Sequence, residues 1–204
     1  MKVLLINGSP HQHGCIDAAM QEVIGELHKE GIETELLWLG TQPMQDCIAC
    51  NRCQETGRCV FEDQVNQVAA KLDAIDAILI GSPVYYGGPN GRLQSFLDRL
   101  FYSVGNETFN GKFGASIVSC RRGGATATFE RLNQYFTIAN MHVVSSQYWN
   151  MVHGFTAEDV KKDQEGLQTM RTLARNLAWL LKATQGKEKP VHEEQIFTSF
   201  PDHL

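Results

Sequence analysis

Short apolar runs alternate with longer stretches of helical spacing along the whole chain. Residues 2–6 are nearly all apolar, as strands are when both faces of a parallel sheet are covered. Strands are predicted at 2–6, 33–38, 75–80, 113–119 and 141–144. Helices are predicted at 15–30, around 65–72 and 93–101, at 125–139 and from 156 to about 182, since apolar residues recur there every three or four positions.

Several local signals place the ends of these elements. Gly31 follows the first helical stretch, where a left-handed cap ends many helices. Thr156 and Asp159 form a capping-box pattern at the start of the last long helix. The strand at 33–38 carries more polar residues than the others, which indicates a position near the sheet edge. Five strands alternating with five helices predict an α/β fold with a doubly wound parallel sheet.

Composition and charge narrow the class of protein. The 204 residues fit one domain, and 43% hydrophobic with 20% charged residues supply a full core. A net charge of -5 lacks the basic footprint of nucleic-acid binders, so no nucleic-acid partner is expected. No stretch approaches the ~20 apolar residues of a membrane span, nor does the N-terminus have a signal-peptide core. We expect a cytoplasmic protein with no membrane partner and with reduced thiols.

The loop after the first strand is the first candidate binding element. It runs from Asn7 to Cys15 and contains Gly8 and Gly14, which let the backbone turn. The N-terminus of the next helix points free N–H groups at this loop, and such a terminus attracts a phosphate. The dinucleotide fingerprint G-x-G-x-x-G and the P-loop pattern are both absent, which argues against a nicotinamide Rossmann site and a phosphoryl-transfer site.

Two further loops follow predicted strand ends, where ligands bind in doubly wound sheets. The first, at 81–91, carries Tyr85 and Tyr86 among glycines. Adjacent tyrosines there favour a planar ligand lying against backbone and aromatic surface, although such pairs also serve as packing or interface residues. The other contains Ser119, Cys120, Arg121, Arg122 and Gly123. Its donors could stabilise negative charge on a reduced flavin or a second phosphate, or the arginines could simply be exposed.

Three motifs together resemble the NADPH-dependent FMN reductase family. They are Gly8-Ser9-Pro10, the run from Gly81 to Gly87, and the helix end Phe96-Leu97-Asp98-Arg99. The resemblance covers about residues 1–183, and the second motif is its most specific part. A cysteine-rich insertion at 43–60 narrows the resemblance to the iron–sulfur flavoprotein branch. It implies a flavodoxin-like fold with strand order 2-1-3-4-5, bound FMN, and a homodimer or homotetramer.

The same resemblance assigns residues to the FMN site. It places five residues on the phosphate loop, namely Ser9, His11, Gly14, Cys15 and Ile16. It places another five on the loop that holds the isoalloxazine ring, namely Pro83, Val84, Tyr85, Tyr86 and Gly87.

The pair Cys15-Ile16 departs from the family, which commonly has a short polar residue and a threonine there. Ile16 has no hydroxyl and Cys15 is a weak donor. A hydrogen bond to a charged group contributes about 1.5–3 kcal/mol, so FMN is expected to bind roughly tenfold or more weakly than with the family residues.

Cys47, Cys50, Cys53 and Cys59 form the most distinctive cluster in the sequence. Their spacing resembles the ligand string of a [4Fe–4S] cluster in the iron–sulfur flavoproteins, and two-residue gaps let successive thiolates converge. Four thiolates could equally hold a structural zinc ion. A third interpretation leaves the thiols free, or oxidised to adventitious disulfides. The sequence alone leaves all three open.

These features predict an FMN-dependent oxidoreductase in which NAD(P)H is the co-substrate. Its acceptor would be a quinone, a nitro or azo aromatic, free flavin, or a ferredoxin-like protein. FMN does the redox chemistry, so no side chain is required as a general acid or base, though Tyr85 or Tyr86 could donate near flavin N5. The alternatives are a flavin and iron–sulfur electron carrier or sensor without nicotinamide chemistry, and a thiol or zinc module without flavin. Residues 184–204 have no clear period and are expected to pack on a partner chain.

Overall fold

The computed structural model describes residues 1–191, 193–194, 196 and 198. The strands in chain order are β1 (Lys2–Asn7), β2 (Glu33–Trp38), β3 (Ala77–Tyr85), β4 (Gly88–Pro89), β5 (Phe113–Cys120), β6 (His142–Val143) and β7 (Met151–His153). The main sheet has the order β2-β1-β3-β5-β6, with parallel neighbours. The predicted doubly wound sheet of order 2-1-3-4-5 is therefore confirmed, with β2 at the edge.

Helices cover both faces of this sheet. They are α1 (Cys15–Lys29), α2 (Arg52–Thr56), α3 (Gln64–Ala69), α4 (Gly91–Val104), α5 (Asn106–Phe109), α6 (Ala125–Ile138), α7 (Ala157–Val160) and α8 (Gln164–Thr184). A 3₁₀ turn at Leu72–Ala74 follows α3. Gly31 has φ +73, which confirms the predicted left-handed residue after α1.

The apolar side chains of β1 alternate between two buried clusters. Leu4 and Ile6 pack with α3, α4 and α6 on one face, whereas Val3 and Leu5 pack with α1 and α8 on the other. β1 is therefore buried on both faces, which explains why its sequence is a nearly continuous apolar run. No helix among the described residues has the length and apolarity needed to cross a bilayer.

The strand that follows α6 differs from its prediction. One continuous strand was expected at 141–144, but β6 pairs only with the start of β5, and β7 pairs with its end. Between them the chain leaves the sheet in a local turn in which Ser146 Oγ donates to the carbonyl of Tyr148 at 2.6 Å. The chain then rejoins the edge of the sheet as β7, because the carbonyl of Asn150 accepts from the N–H of Val118 in β5 at 2.9 Å.

The predicted helix from 156 to about 182 is two helices. The capping box of Thr156 and Asp159 is present and begins α7. Asp163 then begins a second helix, because its carboxylate accepts from the N–H of Gly166 at 3.0 Å.

β3 is longer than the predicted 75–80 and continues to Tyr85, with Pro83 in register with Ser119. The predicted interface tail at 184–204 lies in part outside the described residues and stays a prediction.

Candidate functional site

The loop at 8–14, here called the phosphate loop, is held in one shape by its own hydrogen bonds. Gly8 N–H donates to the carbonyl of Gly81 at 2.9 Å, which ties the loop to β3. Ser9 is buried; its N–H donates to Asn7 Oδ1 at 2.9 Å and its Oγ accepts from the N–H of His11 at 3.1 Å. The Nε1 of Trp38 donates to the carbonyl of Ser9 at 2.8 Å. These bonds preorganise the loop without a ligand.

The helix that follows the phosphate loop has an open N-terminus. Gly14 is the N-cap residue of α1 and makes no side-chain capping bond, so the first N–H groups of this 15-residue helix face the loop. A helix terminus of this kind binds anions through backbone N–H groups and the helix dipole. His11 and His13 are exposed beside it.

The side chains of Cys15 and Ile16 contact other parts of the protein instead of the phosphate loop. Cys15 Sγ lies 3.7 Å from the carbonyl oxygen of Gly154, and Ile16 is fully buried in the core below α1. Both residues therefore offer the loop their backbone N–H groups. Burial raises the pKa of the Cys15 thiol, so at neutral pH it adds no negative charge to the start of α1.

The second element, the tyrosine hairpin at 84–89, presents aromatic surface. β3 and β4 pair antiparallel through Val84 with Pro89 and Tyr85 with Gly88. Tyr86 and Gly87 form the tip with φ +51 and +77, the backbone of a tight two-residue hairpin turn. Tyr85 is 45% exposed and Tyr86 is fully exposed. The hairpin thus holds two tyrosine rings in solvent at the end of a buried strand, with Pro83 and Val84 partly buried behind them.

Buried polar groups hold the base of the hairpin. Ser82 is fully buried; its Oγ donates to the carbonyl of Pro83 at 2.8 Å and accepts from the N–H of Asn90 at 2.9 Å. Asn90 also begins α4, because its Oδ1 accepts from the N–H of Arg92 at 3.0 Å. Both residues lie in the loop at 81–91 that was predicted as a candidate site, but neither had a role predicted there, although Asn at a turn before a helix is a recognised capping signal.

The third element is the arginine loop at 121–124, between β5 and α6. Arg121, Arg122 and Gly123 are exposed, and Ser119 is buried in the preceding strand. Gly124 caps α6 with φ +88 and provides no side-chain capping bond. A Cβ at Gly124 would lie 2.8 Å from Val84 Cγ1, so this loop packs directly on the tyrosine hairpin.

The three loops meet at one edge of the sheet. β1 and β3 are neighbours and so are β3 and β5, so the loops that follow these strands lie side by side. β1 is also the point at which strand order reverses, the usual ligand position in doubly wound sheets. Two open helix N-termini, those of α1 and α6, flank the aromatic hairpin. Their positive partial charges suit a ligand with an anionic group and an anionic ring.

A cavity of about 340 Å³ opens beside the arginine loop. Its lining includes Arg122, Tyr148, Trp149, His153 and Asp163. The two aromatic rings pack together with centroids 5.2 Å apart. The segment between β6 and β7 forms one wall, so the interruption of the edge strand creates this space.

The four clustered cysteines line a second, small cavity of about 20 Å³, room for about one water molecule. None of the six cysteines, all of which are described, forms a disulfide. Cys47 and Cys50 are exposed, whereas Cys53 and Cys59 are partly buried. Within the described part of the chain, no group of three His, Cys, Asp or Glu side chains is arranged to bind one metal ion. Four thiols around one cavity are a donor set that an iron–sulfur cluster or a zinc ion can use.

Two residues that hold the cysteine cavity had no role predicted from the sequence, although Arg99 is part of the helix-end motif that carries the family resemblance. Asn66 is buried; its Oδ1 accepts from Cys59 N–H at 3.0 Å and its Nδ2 donates to Cys59 O at 2.9 Å. Arg99 is 1% exposed and its Nε donates to Cys59 Sγ at 3.2 Å. The available signal was a charged residue three positions after Phe96, on the apolar face of α4.

Comparison with known proteins gives a consistent family. The sequence model of the NADPH-dependent FMN reductase family matches residues 1–156. An iron–sulfur flavoprotein of Methanocaldococcus jannaschii is 34% identical over 189 residues, which cover 89% of this chain and 98% of that protein.

Solved structures share the fold. A flavone reductase superposes with a TM-score of 0.71 at 16% identity, covering 93% of this chain and 66% of that one. A flavodoxin from the domain Archaea superposes with a TM-score of 0.60 at 16% identity, covering 89% and 99% of the two chains. At this identity the likeness establishes a flavodoxin-like fold and nothing about activity.

Proposed function

Because the chain belongs to the NADPH-dependent FMN reductase family and to its iron–sulfur flavoprotein branch, we propose that it binds FMN at the three-loop edge and acts as an NAD(P)H-dependent oxidoreductase. The observation that carries this proposal is the pair of open helix N-termini, at Gly14 and Gly124, on either side of the tyrosine hairpin. When bound, FMN would take up a hydride from NAD(P)H and release two electrons to an acceptor.

The phosphate loop would hold the ribityl phosphate. Ser9 and His11 shape the loop, while Cys15 and Ile16 offer backbone N–H groups from the first turn of α1. A phosphate held in this way needs little cationic charge, which agrees with the net charge of -5. The side chains of Cys15 and Ile16 make no polar contribution here, so we expect the weaker FMN binding predicted from the sequence.

The tyrosine hairpin would hold the ring system. Residues 83–87 supply exposed backbone and two rings at the hairpin tip, and the arginine loop lies in contact with it. Ser119, Arg121, Arg122 and Gly123, together with the N-terminus of α6, would stabilise negative charge that develops on the ring. Tyr85 and Tyr86 would be the side chains that hydrogen-bond near its reactive edge.

The cavity beside the arginine loop would receive NAD(P)H and the electron acceptor. It is open to solvent, has two aromatic rings for stacking, and shares Arg122 with the ring site. A flat acceptor such as a quinone or a nitro or azo aromatic fits these walls by its chemistry.

The cysteine cavity would hold a [4Fe–4S] cluster with Cys47, Cys50, Cys53 and Cys59 as ligands. Four thiols that line one cavity and a buried arginine supply the ligand type and the positive charge that such a group needs. The cavity is about 20 Å³, so the exposed loop that carries Cys47 and Cys50 would move outward to admit the cluster. When bound, such a cluster would supply one-electron transfer to a ferredoxin-like partner. The exposure of Cys47 and Cys50 places two of these ligands at the surface, where a protein partner could approach.

The same exposure favours a second candidate, a flavin and iron–sulfur electron carrier without nicotinamide chemistry. Steady oxidation of NADH and NADPH with menadione, by protein purified anaerobically and loaded with FMN, separates the two. We expect rates well above those of free FMN and a loss of rate in Tyr86→Ala. Ile138→Ala, which removes an exposed side chain at the far end of α6, is the control and should leave the rate unchanged. A wild-type rate equal to that of free FMN would instead support the carrier.

We also propose a homodimer or homotetramer. Tyr148 and Trp149 line the cavity beside the arginine loop and are exposed, and Phe155 is exposed as well. Burial of such rings is a common source of interface energy. Light scattering after size-exclusion chromatography should give two or four times the chain mass of 22.8 kDa. A monomer at micromolar concentration would contradict this.

A further inference from the structure

Arg99 is the largest fully buried side chain among the described residues. It lies on the apolar face of α4, where a guanidinium is costly unless each donor has a partner. Its Nη1 and Nη2 donate to Asp63 Oδ2 and Oδ1 at 2.6 and 2.9 Å, a two-pronged ion pair. The same two nitrogens also donate to the carbonyls of Gln45 at 3.2 Å and Phe61 at 3.3 Å.

The remaining donor of Arg99 is directed at a sulfur. A guanidinium has five N–H groups, four of which serve the oxygens of Asp63, Gln45 and Phe61. The fifth, on Nε, donates to Cys59 Sγ at 3.2 Å. The orientation of the Arg99 guanidinium is fixed because its partner Asp63 is itself held in place. Asp63 caps α3 by accepting from the N–H of Val65 at 3.0 Å.

Cys59 is held from its other side as well. Asn66 brackets its backbone, accepting from Cys59 N–H and donating to Cys59 O. The backbone of Cys59 and the donor to its sulfur are therefore both set by buried side chains of α3 and α4. If Arg99 served only to join α4 to the cysteine loop, its bonds to Asp63, Gln45 and Phe61 would be enough. The additional hydrogen bond from Nε to the Cys59 sulfur therefore indicates a further role.

We propose that Arg99 is a positioning residue for the Cys59 ligand and raises the reduction potential of the cluster through its N–H···S hydrogen bond. This inference rests on the proposed cluster at the four cysteines. Reduction adds one electron and no proton, so negative charge on the cluster and its sulfurs increases. A hydrogen bond to a ligand sulfur and a nearby cation both stabilise the more negative state, and these are known determinants of cluster potentials.

The test compares cluster potentials in anaerobically reconstituted full-length protein. Arg99→Lys keeps a cation that can pair with Asp63 but lacks the Nε donor. We expect the ratio of reduced to oxidised cluster at the wild-type midpoint to fall about tenfold, which is about 59 mV for one electron. The potential is read by a reductive titration monitored by electron paramagnetic resonance. Arg171→Lys is the matched control, because it makes the same exchange at an arginine of α8, on the opposite face of the sheet, whose partner is Glu22; its potential should equal that of the wild type.

A second variant covers the case in which Arg99→Lys retains no cluster. Asp63→Asn keeps the Nε donor and removes a negative charge beside it, so the potential should rise instead of fall. A potential for Asp63→Asn at or below that of the wild type would overturn the inference.

Other outcomes are also decisive. If Arg99→Lys lowers the melting temperature of the cluster-free chain but leaves the potential unchanged, Arg99 is only structural. If reconstituted wild-type protein contains no iron and sulfide, the proposed cluster fails, and this inference fails with it. If the wild type is loaded but the Arg99→Lys potential does not move, this inference alone is wrong.

Discussion

The indole Nε1 of Trp38 donates a 2.8 Å hydrogen bond to the carbonyl of Ser9. It joins the last residue of β2 to the phosphate loop, across the neighbouring ends of two parallel strands. Ser9 in turn accepts from the N–H of His11. Trp38 is therefore part of the support for the loop shape that the phosphate would meet.

Removal of this bond should weaken FMN binding while leaving the fold intact. Trp38→Phe keeps most of the ring packing but loses the donor, and one neutral hydrogen bond contributes about 0.5–1.5 kcal/mol. We expect the Kd for FMN to rise roughly two- to tenfold. Quenching of flavin fluorescence on titration measures this. Trp179→Phe, at an exposed position on α8, is the control, and an equal change in both variants would contradict the role given to Trp38.

Gly124 should tolerate no side chain. Its φ of +88 costs an L-residue about 1–2 kcal/mol, and a Cβ would press on Val84 and on the backbone of Gly87. Gly124→Ala should lower the melting temperature and weaken FMN binding by displacing the tyrosine hairpin from the arginine loop. Gly91→Ala is the matched control, since a Cβ there meets nothing within 4 Å. Unchanged FMN affinity in Gly124→Ala would show that contact between the two loops is not needed for binding.

Cys15→Ser tests the finding that this side chain faces Gly154 and not the phosphate loop. A serine hydroxyl would donate to the same carbonyl, so we expect the Kd for FMN to change less than roughly threefold, well below the tenfold that a lost charged hydrogen bond implies. An affinity gain of tenfold or more, measured by isothermal titration calorimetry, would show that the side chain at position 15 reaches the phosphate.

Stability should decline at alkaline pH because of buried thiols. Burial raises the pKa of Cys15 and of Cys120, so the unfolded chain releases these protons before the folded chain does. The stabilisation is complete below the unfolded thiol pKa of about 8.5 and is lost as pH rises through the folded values. Thermal unfolding at pH 8 and pH 10 should show a smaller drop in the Cys15→Ala, Cys120→Ala double variant than in the wild type. An equal drop would assign the alkaline loss to other groups.

The strands of the main sheet could be predicted from the sequence because burial on both faces leaves a local pattern of apolar residues. Residues 3–6 are apolar because helices cover both sides of β1, and Gly31 and Thr156 mark helix ends through local geometry. The split between β6 and β7 was not predicted, because it depends on Asn150 meeting the N–H of Val118 from a strand more than thirty residues away.

The candidate site was predicted unevenly for the same reason. The glycines and tyrosines of the loops are local signals, so the loop at 81–91 was identified, whereas its hairpin and the short strand β4 were not predicted. Trp38, Asn66 and Arg99 act through contacts with residues 29, 7 and 40 positions away. Of these three, only Arg99 was named in the sequence, as the last residue of the helix-end motif that carries the family resemblance.

Titration of purified, flavin-free protein with FMN tests the central claim most directly. We predict saturable binding of one FMN per chain, with quenched flavin fluorescence and a shifted absorption band, and a clear loss of affinity for riboflavin, which lacks the phosphate. An absence of saturable binding, or equal affinity for riboflavin and FMN, would contradict a phosphate held at the N-terminus of α1.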